Sequence, residues 1–198
     1  MLTFFPNGRN PDPVTTRTTA LTEQASEVKL LYGAFHDEDS FKPLPLLIAI
    51  RSQYHLRWDG IHGIGHWERV WRIGEALAEQ AGADRSVVRA FAFLHDACRL
   101  LDSTDPDHGR RGGKLARKLN RDCLGLAPDQ MELLVTACSL HTCGGVSDDP
   151  TIGTCWDADR LDLARFGIVP DLELLSTAAA RNPAFIVWAK GLSVTSER

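Results

Sequence analysis

The sequence of 198 residues contains no long hydrophobic run. A helix that spans a membrane needs roughly 20 consecutive apolar residues, and the apolar run at residues 43–50 is far shorter. The first residues, Met-Leu-Thr-Phe-Phe-Pro-Asn-Gly-Arg, also lack the basic segment followed by an apolar segment that marks a signal peptide. We therefore expect a cytoplasmic protein with no membrane partner.

An excess of charge of one sign is also missing. The chain has 22 Lys and Arg residues against 26 Asp and Glu residues, a net charge of −4, and the two signs are interspersed without long runs. Proteins that bind nucleic acid neutralise its phosphates with clustered Lys and Arg. We therefore expect no nucleic-acid partner, and the composition leaves the oligomeric state open.

Cysteine is scarce, and its number is odd. The five residues are Cys98, Cys123, Cys138, Cys143 and Cys155. Three of them lie in apolar helical settings, which is typical of reduced thiols in a reducing compartment. Cys138, Cys143 and Cys155 lie near His141 in the sequence, but they lack the two-residue spacing of zinc knuckles. The pattern therefore argues against a separate cysteine-based zinc site.

Strand-like alternation of apolar and polar residues is absent, and helical periodicity dominates the chain. We predict an all-α fold with an N-terminal arm over residues 1–40 and one domain over 41–198, whose core occupies about 50–165. The predicted helices cover residues 20–32, 43–53, 66–80, 84–100, 105–119, 128–141, 157–166 and 170–192, the last interrupted near Asn182-Pro183. Asp84 and Asp105 are the predicted N-caps, and Gly82 and Gly144 the predicted C-terminal ends.

The stretch Phe91–Arg99 places His95 and Asp96 side by side at the end of an apolar run. On a helix, His95 lies beside a stripe that includes Phe91 and Leu94, so the pair is carried into the interior. A buried carboxylate without a counter-charge is costly, and it needs a proton, an ion pair or a metal. The pair therefore predicts a site.

Three further histidines lie at the ends of apolar helical stripes, and helices packed by these stripes would bring their polar ends together. The full candidate ligand set is His66, His95, Asp96, His108, His141 and one of Asp157, Asp159 and Asp162. Four imidazoles and two carboxylates suit a divalent transition metal such as Mn, Fe, Co, Zn or Ni. The set is large enough for two ions, with Asp96 as the bridge.

Charged residues nearby complete a candidate site for phosphate ester hydrolysis. Two metal ions activate water and neutralise the charge that develops on a phosphoryl group. The candidate catalytic residues are Asp96, Arg99 and Asp102. The candidate substrate-binding residues are His62, Arg99, Arg110 and Arg111, of which the arginines suit a substrate phosphate. His62 lies in a glycine-rich turn and contacts either the substrate or only the loop.

The order His66, then His95-Asp96, then a distant Asp resembles the HD superfamily of metal-dependent phosphohydrolases. The segments 62–70, 91–96 and 105–111 look like an uncharacterised bacterial branch of it, and the resemblance covers about residues 50–165. It implies a helical HD-domain bundle with one or two divalent metals. The stretch Ala158-Asp159-Arg160-Leu161 implies Asp159 as the last ligand, with Asp157 as the substitute, and His108 and His141 look like the ligands of a second metal.

The implied activity is hydrolysis of a phosphate ester of a nucleotide or another small phosphorylated metabolite by a metal-activated water. Arg99 stands near the position where some nucleotidase members carry a glutamate, so their acid and base roles do not transfer directly. Two alternatives stay open. One is a di-iron oxygenase with the same fold and ligands, and the other is a non-catalytic regulatory domain that binds a nucleotide or a partner protein.

Overall fold

A computed structural model of the protein describes residues 43–195, and in this range it confirms the all-α prediction with seven helices and no strand. They are α1 (Pro43–Arg51), α2 (Ile64–Ala81), α3 (Arg85–Leu94), α4 (His108–Leu119), α5 (Pro128–Leu140), α6 (Pro150–Asp162) and α7 (Pro183–Thr195). The chain divides into two compact units, residues 1–48 and 49–198, and α2 to α7 belong to the second. The predicted arm and its helix at 20–32 lie outside the described residues.

Helix α3 is the centre of the second unit. It contacts α2, α4, α5 and α6, and every residue from Val87 to Leu94 is buried. Burial of a large apolar side chain such as Phe91 stabilises the fold by about 1.5–3 kcal/mol. The one charged residue in this buried stretch is Arg89, whose Nε donates to Glu75 of α2 at 2.7 Å. The packed core therefore fixes the position at which α3 ends.

The prediction that this helix continues to Leu100 is wrong, because α3 ends at Leu94. The imidazole Nδ1 of His95 lies 3.1 Å from the carbonyl oxygens of both Phe91 and Ala92. A continuing helix would use those carbonyls as acceptors for its next turn. The chain instead enters short turns, and the His95-Asp96 pair is presented at the end of a buried helix.

Aspartate residues determine where several helices begin. The Asp84 carboxylate accepts hydrogen bonds from the N–H groups of Ser86 and Val87, which confirms Asp84 as an N-cap. The N-cap prediction for Asp105 is wrong: α4 begins at His108, and the Asp105 carboxylate accepts from the Leu100 N–H at 2.9 Å. The acidic side chain therefore secures the loop before α4.

The start of α6 was also predicted wrongly. The sequence pattern placed it at Asp157, whereas α6 begins at Pro150. The Asp149 carboxylate accepts from the N–H groups of Thr151 and Ile152, both at 2.9 Å, and Pro150 occupies the first helical position. An Asp-Pro pair is a standard helix start, so the signal was present in the sequence.

The glycine-rich turn before α2 depends on one close backbone contact. A Cβ on Gly63 would lie 2.0 Å from the carbonyl oxygen of Trp58, so any larger residue would displace the turn. The Tyr54 hydroxyl donates to the His62 carbonyl at 2.8 Å. At the other end of α2, Gly82 adopts the left-handed conformation with φ 67°, which confirms it as the C-terminal end.

The C-terminal segment holds two 3-10 turns, Leu163–Phe166 and Leu172–Leu174, before α7 begins at Pro183. The predicted helix over 170–192 is therefore wrong in its first part, because the helix begins only at Pro183, directly after Asn182. Among the described residues, no helix combines the length and the apolar character that crossing a membrane would require.

Candidate metal centre

Four buried histidines meet at the ends of α2 to α5. His66 lies in the first turn of α2, His108 is the first residue of α4, and His95 and His141 directly follow α3 and α5. The Nε2 atoms of His66 and His95 are 3.0 Å apart, and those of His108 and His141 are 2.9 Å apart. The imidazoles therefore form two close pairs.

The Asp96 carboxylate lies between the two pairs. Its Oδ1 is 3.0 Å from Nε2 of His108, and its Oδ2 is 3.8 Å from Nε2 of both His66 and His95. The side chains form two groups that share Asp96: His66, His95 and Asp96, and Asp96, His108 and His141. Within each group the candidate ligand atoms all lie within 4.8 Å of one another.

The outer nitrogen of each imidazole faces an oxygen atom. Nδ1 of His141 lies 2.8 Å from the carbonyl oxygen of Cys138, and Nδ1 of His108 contacts the carbonyl oxygen of Asp105. Nδ1 of His95 faces two carbonyls of α3, and Nδ1 of His66 lies 2.7 Å from Asp162 Oδ2. Carbonyl and carboxylate oxygens accept, so Nδ1 carries a proton in each ring and Nε2 points inward.

Burial and neighbouring charges affect the titrating groups in opposite directions. Burial lowers the pKa of His95 to about 3. Burial also acts to lower the pKa of His66, but the carboxylates of Asp159 and Asp162 outweigh it and raise that pKa above 6.5. For Asp96, burial acts to raise the pKa, yet the surrounding histidines hold it well below its usual value. Asp96 is therefore ionised at neutral pH.

This donor set fits a bound transition-metal cation. In each pair, two inward lone pairs face each other at about 3 Å, an arrangement that requires a shared proton or a cation. Imidazole nitrogens with carboxylate oxygens are ligands that suit Zn, Mn, Fe, Co and Ni. Outer hydrogen bonds that fix the ring orientation are typical of metal-binding histidines. These five residues are candidate metal ligands, and the identity of the metal is open.

The three acidic residues near the end of α6 occupy different environments. Asp159 Oδ1 lies 3.4 Å from Nε2 of His66 and 3.7 Å from Nε2 of His95. Asp157 instead accepts hydrogen bonds from the backbone N–H groups of Ser176 and Thr177. The geometry thus brings Asp159, and not Asp157, to the histidines.

The third acidic residue, Asp162, is fully buried behind His66. Its carboxylate accepts from Arg69 Nε at 2.7 Å, from Arg165 Nη1 at 3.0 Å and from the Ser193 hydroxyl at 2.7 Å, in addition to His66. Asp162 lies three residues after Asp159, which places it on nearly the same face of α6. That spacing is a usable signal for the contact with His66, although the sequence pattern predicts Asp162 only as an alternative ligand.

A pocket of about 360 Å³ opens beside the histidines, and its size is within the range of small-molecule sites. Its polar lining includes His62, His66, Asp96, Arg99, His141 and Asp159. Nδ1 of His62 lies 2.9 Å from Asp96 Oδ2, and Arg99 Nε donates to Asp96 Oδ1 at 2.9 Å. Both residues therefore contact the carboxylate shared by the two groups.

Three of the predicted catalytic and substrate-binding residues do not line this pocket. Arg110 is exposed and pairs with Asp107, whereas Arg111 pairs with Asp105. Asp102 is exposed, and its backbone carbonyl, not its carboxylate, contacts His62. Because α4 begins at His108, helical periodicity directs Arg110 about 200° away from that histidine.

A model of the protein family described as HD domain matches residues 63–163, just over half of the chain. The matched range contains all six candidate ligands, from His66 to Asp159. The chain belongs to the HD domain family. This confirms the family expected from the sequence, whose members have an all-helical fold and are mostly metal-dependent phosphohydrolases, although some are non-catalytic. No curated protein and no solved structure matches the chain.

Two further arginines of this HD domain line the pocket, and the sequence analysis did not single them out. They are Arg160 of α6 and Arg165 of the following 3-10 turn. Apolar side chains of the same region, Leu163, Phe166 and Leu174, also line it. These arginines and apolar side chains come near the histidines because of how α6 packs against α2 and α3. No local pattern in the sequence predicts that packing.

Proposed function

We propose that this protein is a metal-dependent phosphohydrolase that cleaves a phosphate ester of a nucleotide or another small phosphorylated metabolite. The observation that carries the proposal is the division of one carboxylate between two histidine pairs. Asp96 Oδ1 faces His108 and His141, and Oδ2 faces His66 and His95. A shared carboxylate between two clusters of nitrogen ligands is the arrangement that a two-metal hydrolase uses.

The residues that would hold the ions follow from the same geometry. His66, His95, Asp96 and Asp159 would hold one ion, and Asp96, His108 and His141 the other. Bound there, divalent ions would lower the pKa of a water molecule and neutralise charge on the phosphoryl group. The protein itself keeps the ligands in place, because each imidazole is fixed through Nδ1 by an oxygen acceptor.

Side chains around the ligands would prepare the site for an anionic substrate. The contacts of His62 and Arg99 with Asp96 fix the orientation of its carboxylate. Arg99 also donates through Nη1 to the Ser103 carbonyl at 3.1 Å, which stabilises the loop beside the pocket. We propose that these residues orient Asp96, with Arg99 adding positive charge near the substrate.

The five free cysteines support a cytoplasmic location, where thiols stay reduced.

The test begins with metal content, measured by elemental mass spectrometry on protein purified without chelator. We expect close to two equivalents of a transition metal, and loss of that metal in Asp96→Asn. Asp148→Asn, which changes an exposed carboxylate, is the matched control and should retain the metal. A panel of phosphate monoesters should then be hydrolysed at least about a hundred-fold more slowly by Asp96→Asn than by the control.

Other results would select the alternatives. Iron as the dominant metal, with oxygen consumption and no ester hydrolysis, would favour the di-iron oxygenase. Tight nucleotide binding without turnover by the fully loaded protein would favour a regulatory domain. A protein that binds no metal even after reconstitution would overturn the catalytic proposal.

A further inference from the structure

The wall of the pocket formed by the end of α6 and the following 3-10 turn carries two arginines. Within the described residues, Arg160 has no carboxylate in contact, and Arg165 shares its carboxylate partner with another arginine. We propose that Arg160 and Arg165 form an anion subsite that binds the phosphate oxygens of the substrate, with the apolar side chains beside them contacting its alcohol group. The inference rests on the proposed hydrolase function, because it assigns the substrate-binding residues of that same pocket.

Arg160 has no carboxylate partner within 4.0 Å among residues 44–194. Its Nη1 donates to the Leu174 carbonyl at 2.6 Å, and its guanidinium lies 5.7 Å from the centre of the Trp156 ring. A guanidinium has five N–H donors, and one carbonyl uses one of them. The fixed and partly buried cation therefore has donors available for an anion.

Arg165 is held in place but shares its counter-charge. Its side chain is 6% exposed, and Nη1 donates to the backbone carbonyl and Oδ2 of Asp162, both at 3.0 Å. The same carboxylate also accepts from Arg69 and from His66. One carboxylate is therefore shared between two guanidinium groups and an imidazole.

A donor of Arg165 is also unused within the described part of the chain. Its Nε is buried and has no hydrogen-bond partner there. Buried polar groups without a partner are rare in folded proteins. Because Nε is itself shielded from solvent, an anion in the pocket would contact the other N–H groups of this guanidinium, and phosphate has several acceptor oxygens for them.

The arginines expected from the sequence are poorer candidates because carboxylates already pair with them. Arg99 donates to Asp96, Arg110 pairs with Asp107, and Arg111 pairs with Asp105. Of these, only Arg99 lines the pocket. Among the arginines that line the pocket, Arg160 is therefore the one without a carboxylate partner in the described part of the chain, and Arg165 shares its partner with Arg69.

Apolar contacts next to the two guanidinium groups indicate the class of substrate. Arg160 binds the backbone of Leu174, and the Arg165 guanidinium lies 4.3 Å from the centre of the Phe166 ring. The side chains of Leu174 and Phe166 line the same pocket together with Leu163. This combination suits a phosphate monoester whose alcohol has an apolar face, in preference to an ester of a small polar alcohol.

The experiment measures binding of inorganic phosphate to the full-length, Mn-loaded protein by isothermal titration calorimetry. Arg160→Gln should weaken binding about ten-fold or more, because a charge-assisted hydrogen bond is lost. Arg121→Gln is the matched control: Arg121 is 91% exposed, pairs with neighbouring Asp122 and does not line the pocket. Its phosphate affinity should stay within about two-fold of the unchanged protein.

Arg165 is tested by two variants, because its side chain is buried against Asp162. Arg165→Lys retains the charge and should weaken phosphate binding less than Arg165→Gln does. Circular dichroism identifies a variant that fails to fold, and in that event Arg160→Gln alone decides the test. Phosphate binding by Arg160→Gln as tight as that of the unchanged protein would overturn the subsite.

Substrate comparison tests the apolar part of the assignment. The KM for 1-naphthyl phosphate should be lower than that for glycerol 2-phosphate, and Arg160→Gln should raise both. Equal KM values for the two esters would overturn the apolar contact. If no ester is hydrolysed but Arg160→Gln still loses phosphate affinity, the proposed hydrolase fails and the anion subsite stands. If hydrolysis occurs and Arg160→Gln changes neither Kd nor KM, only the subsite fails.

Discussion

Asp157 and Asp159 are two residues apart on α6 and have different surroundings. Two residues correspond to about 200° around a helix, so the side chains leave on nearly opposite faces. Asp157 is fully buried and accepts from the N–H groups of Ser176 and Thr177 at 2.7 and 2.8 Å. Asp159 is partly exposed, lines the pocket and faces the histidines. The first carboxylate joins α6 to the C-terminal segment, and the second is placed to bind a ligand.

This difference predicts opposite effects of two matched substitutions. Asp159→Asn should weaken metal binding at least about ten-fold, as loss of a ligand or its close partner does, with little change in stability in the presence of chelator. Asp157→Asn should lower the free energy of unfolding by about 1.5–3 kcal/mol, because it removes hydrogen bonds to a charged acceptor. Metal titration and urea denaturation measure the two effects.

Each variant is the control for the other, since both remove one negative charge from the same helix. Loss of metal by Asp157→Asn with retention by Asp159→Asn would reverse the assignment. Equal loss of stability by both in chelator would show that the Asp159 carboxylate is also needed for folding.

At the level of residues, the sequence was informative about side chains that share a local pattern. His66, His95, His108 and His141 each end an apolar stripe, and the structure brings all four together. The contact between His62 and Asp96 joins a turn to the end of another helix. No spacing along the chain encodes such a contact, so His62 could not be assigned from sequence.

Helices α4 and α5 approach closely because of glycine. A Cβ on Gly109 would lie 2.0 Å from the Cys138 carbonyl oxygen and 2.9 Å from Nδ1 of His141. That carbonyl is also the acceptor that orients His141. The glycine therefore sets both the distance between the two helices and the position of a candidate ligand.

Substitution at this contact should affect stability and metal binding together. Gly109→Ala forces the backbone of α5 to move and should lower the free energy of unfolding by about 1–3 kcal/mol or more, as overpacking does. The displaced imidazole should also reduce metal affinity. Chemical denaturation and metal titration of the same preparation test both effects.

Gly191→Ala is the control for the effect of alanine in a helix. Gly191 lies within α7, and no atom of the described residues lies within 4 Å of its added Cβ. It should leave stability unchanged or raise it by up to about 1 kcal/mol, because alanine favours helix. A Gly109→Ala protein that is as stable and as rich in metal as Gly191→Ala would contradict the packing argument.

At the level of elements, apolar periodicity predicted where most helices lie but not where they stop. The stripe ending in Cys98 continues past Leu94, yet the helix ends there and the imidazole of His95 turns back onto the carbonyls of Phe91 and Ala92. Side-chain contacts with backbone acceptors favour the end of a helix. Hydrophobic pattern carries no information about such contacts.

Across the whole molecule, the candidate ligands come from widely separated parts of the chain. They lie between residues 66 and 159 and belong to the ends of α2, α3, α4 and α5 and to α6. A cation bound to them would connect five helices through one site. Such a ligand binds the native state and has no preformed site in the unfolded chain.

Metal should therefore stabilise the entire domain. At a free metal concentration about 1,000 times Kd, the expected gain is about 4 kcal/mol, which corresponds to a rise in Tm on the order of 10 °C for a chain of this size. Chelator should abolish the gain. Differential scanning calorimetry of the full chain with Mn, with chelator and with neither measures it.

Asp96→Asn supplies the control for this measurement. It removes the shared carboxylate, so added metal should raise its Tm much less than that of the unchanged protein. An equal rise in both proteins would show that the ion stabilises the fold from another location.

The overall architecture could be predicted because a distributed motif in a fixed order identified the family, and the matched range of 63–163 confirms it. The surroundings of the pocket could not be predicted in the same way. Arg160 and Arg165 face it only because α6 packs against α2 and α3 and the chain then turns at Leu163–Phe166. The residues placed to bind a substrate thus depend on tertiary packing more than the candidate metal ligands do.

The acceptors that orient the four imidazoles differ in whether an amino-acid substitution can remove them. His95, His108 and His141 are oriented by backbone carbonyls, which every amino acid possesses. His66 alone is oriented by a side chain, that of Asp162. Substitutions can accumulate at the residues behind three of the ligands without removing an acceptor. Asp162 is therefore the one position at which a single substitution, in evolution or in the laboratory, removes the acceptor of a candidate ligand and so changes the basicity of its imidazole.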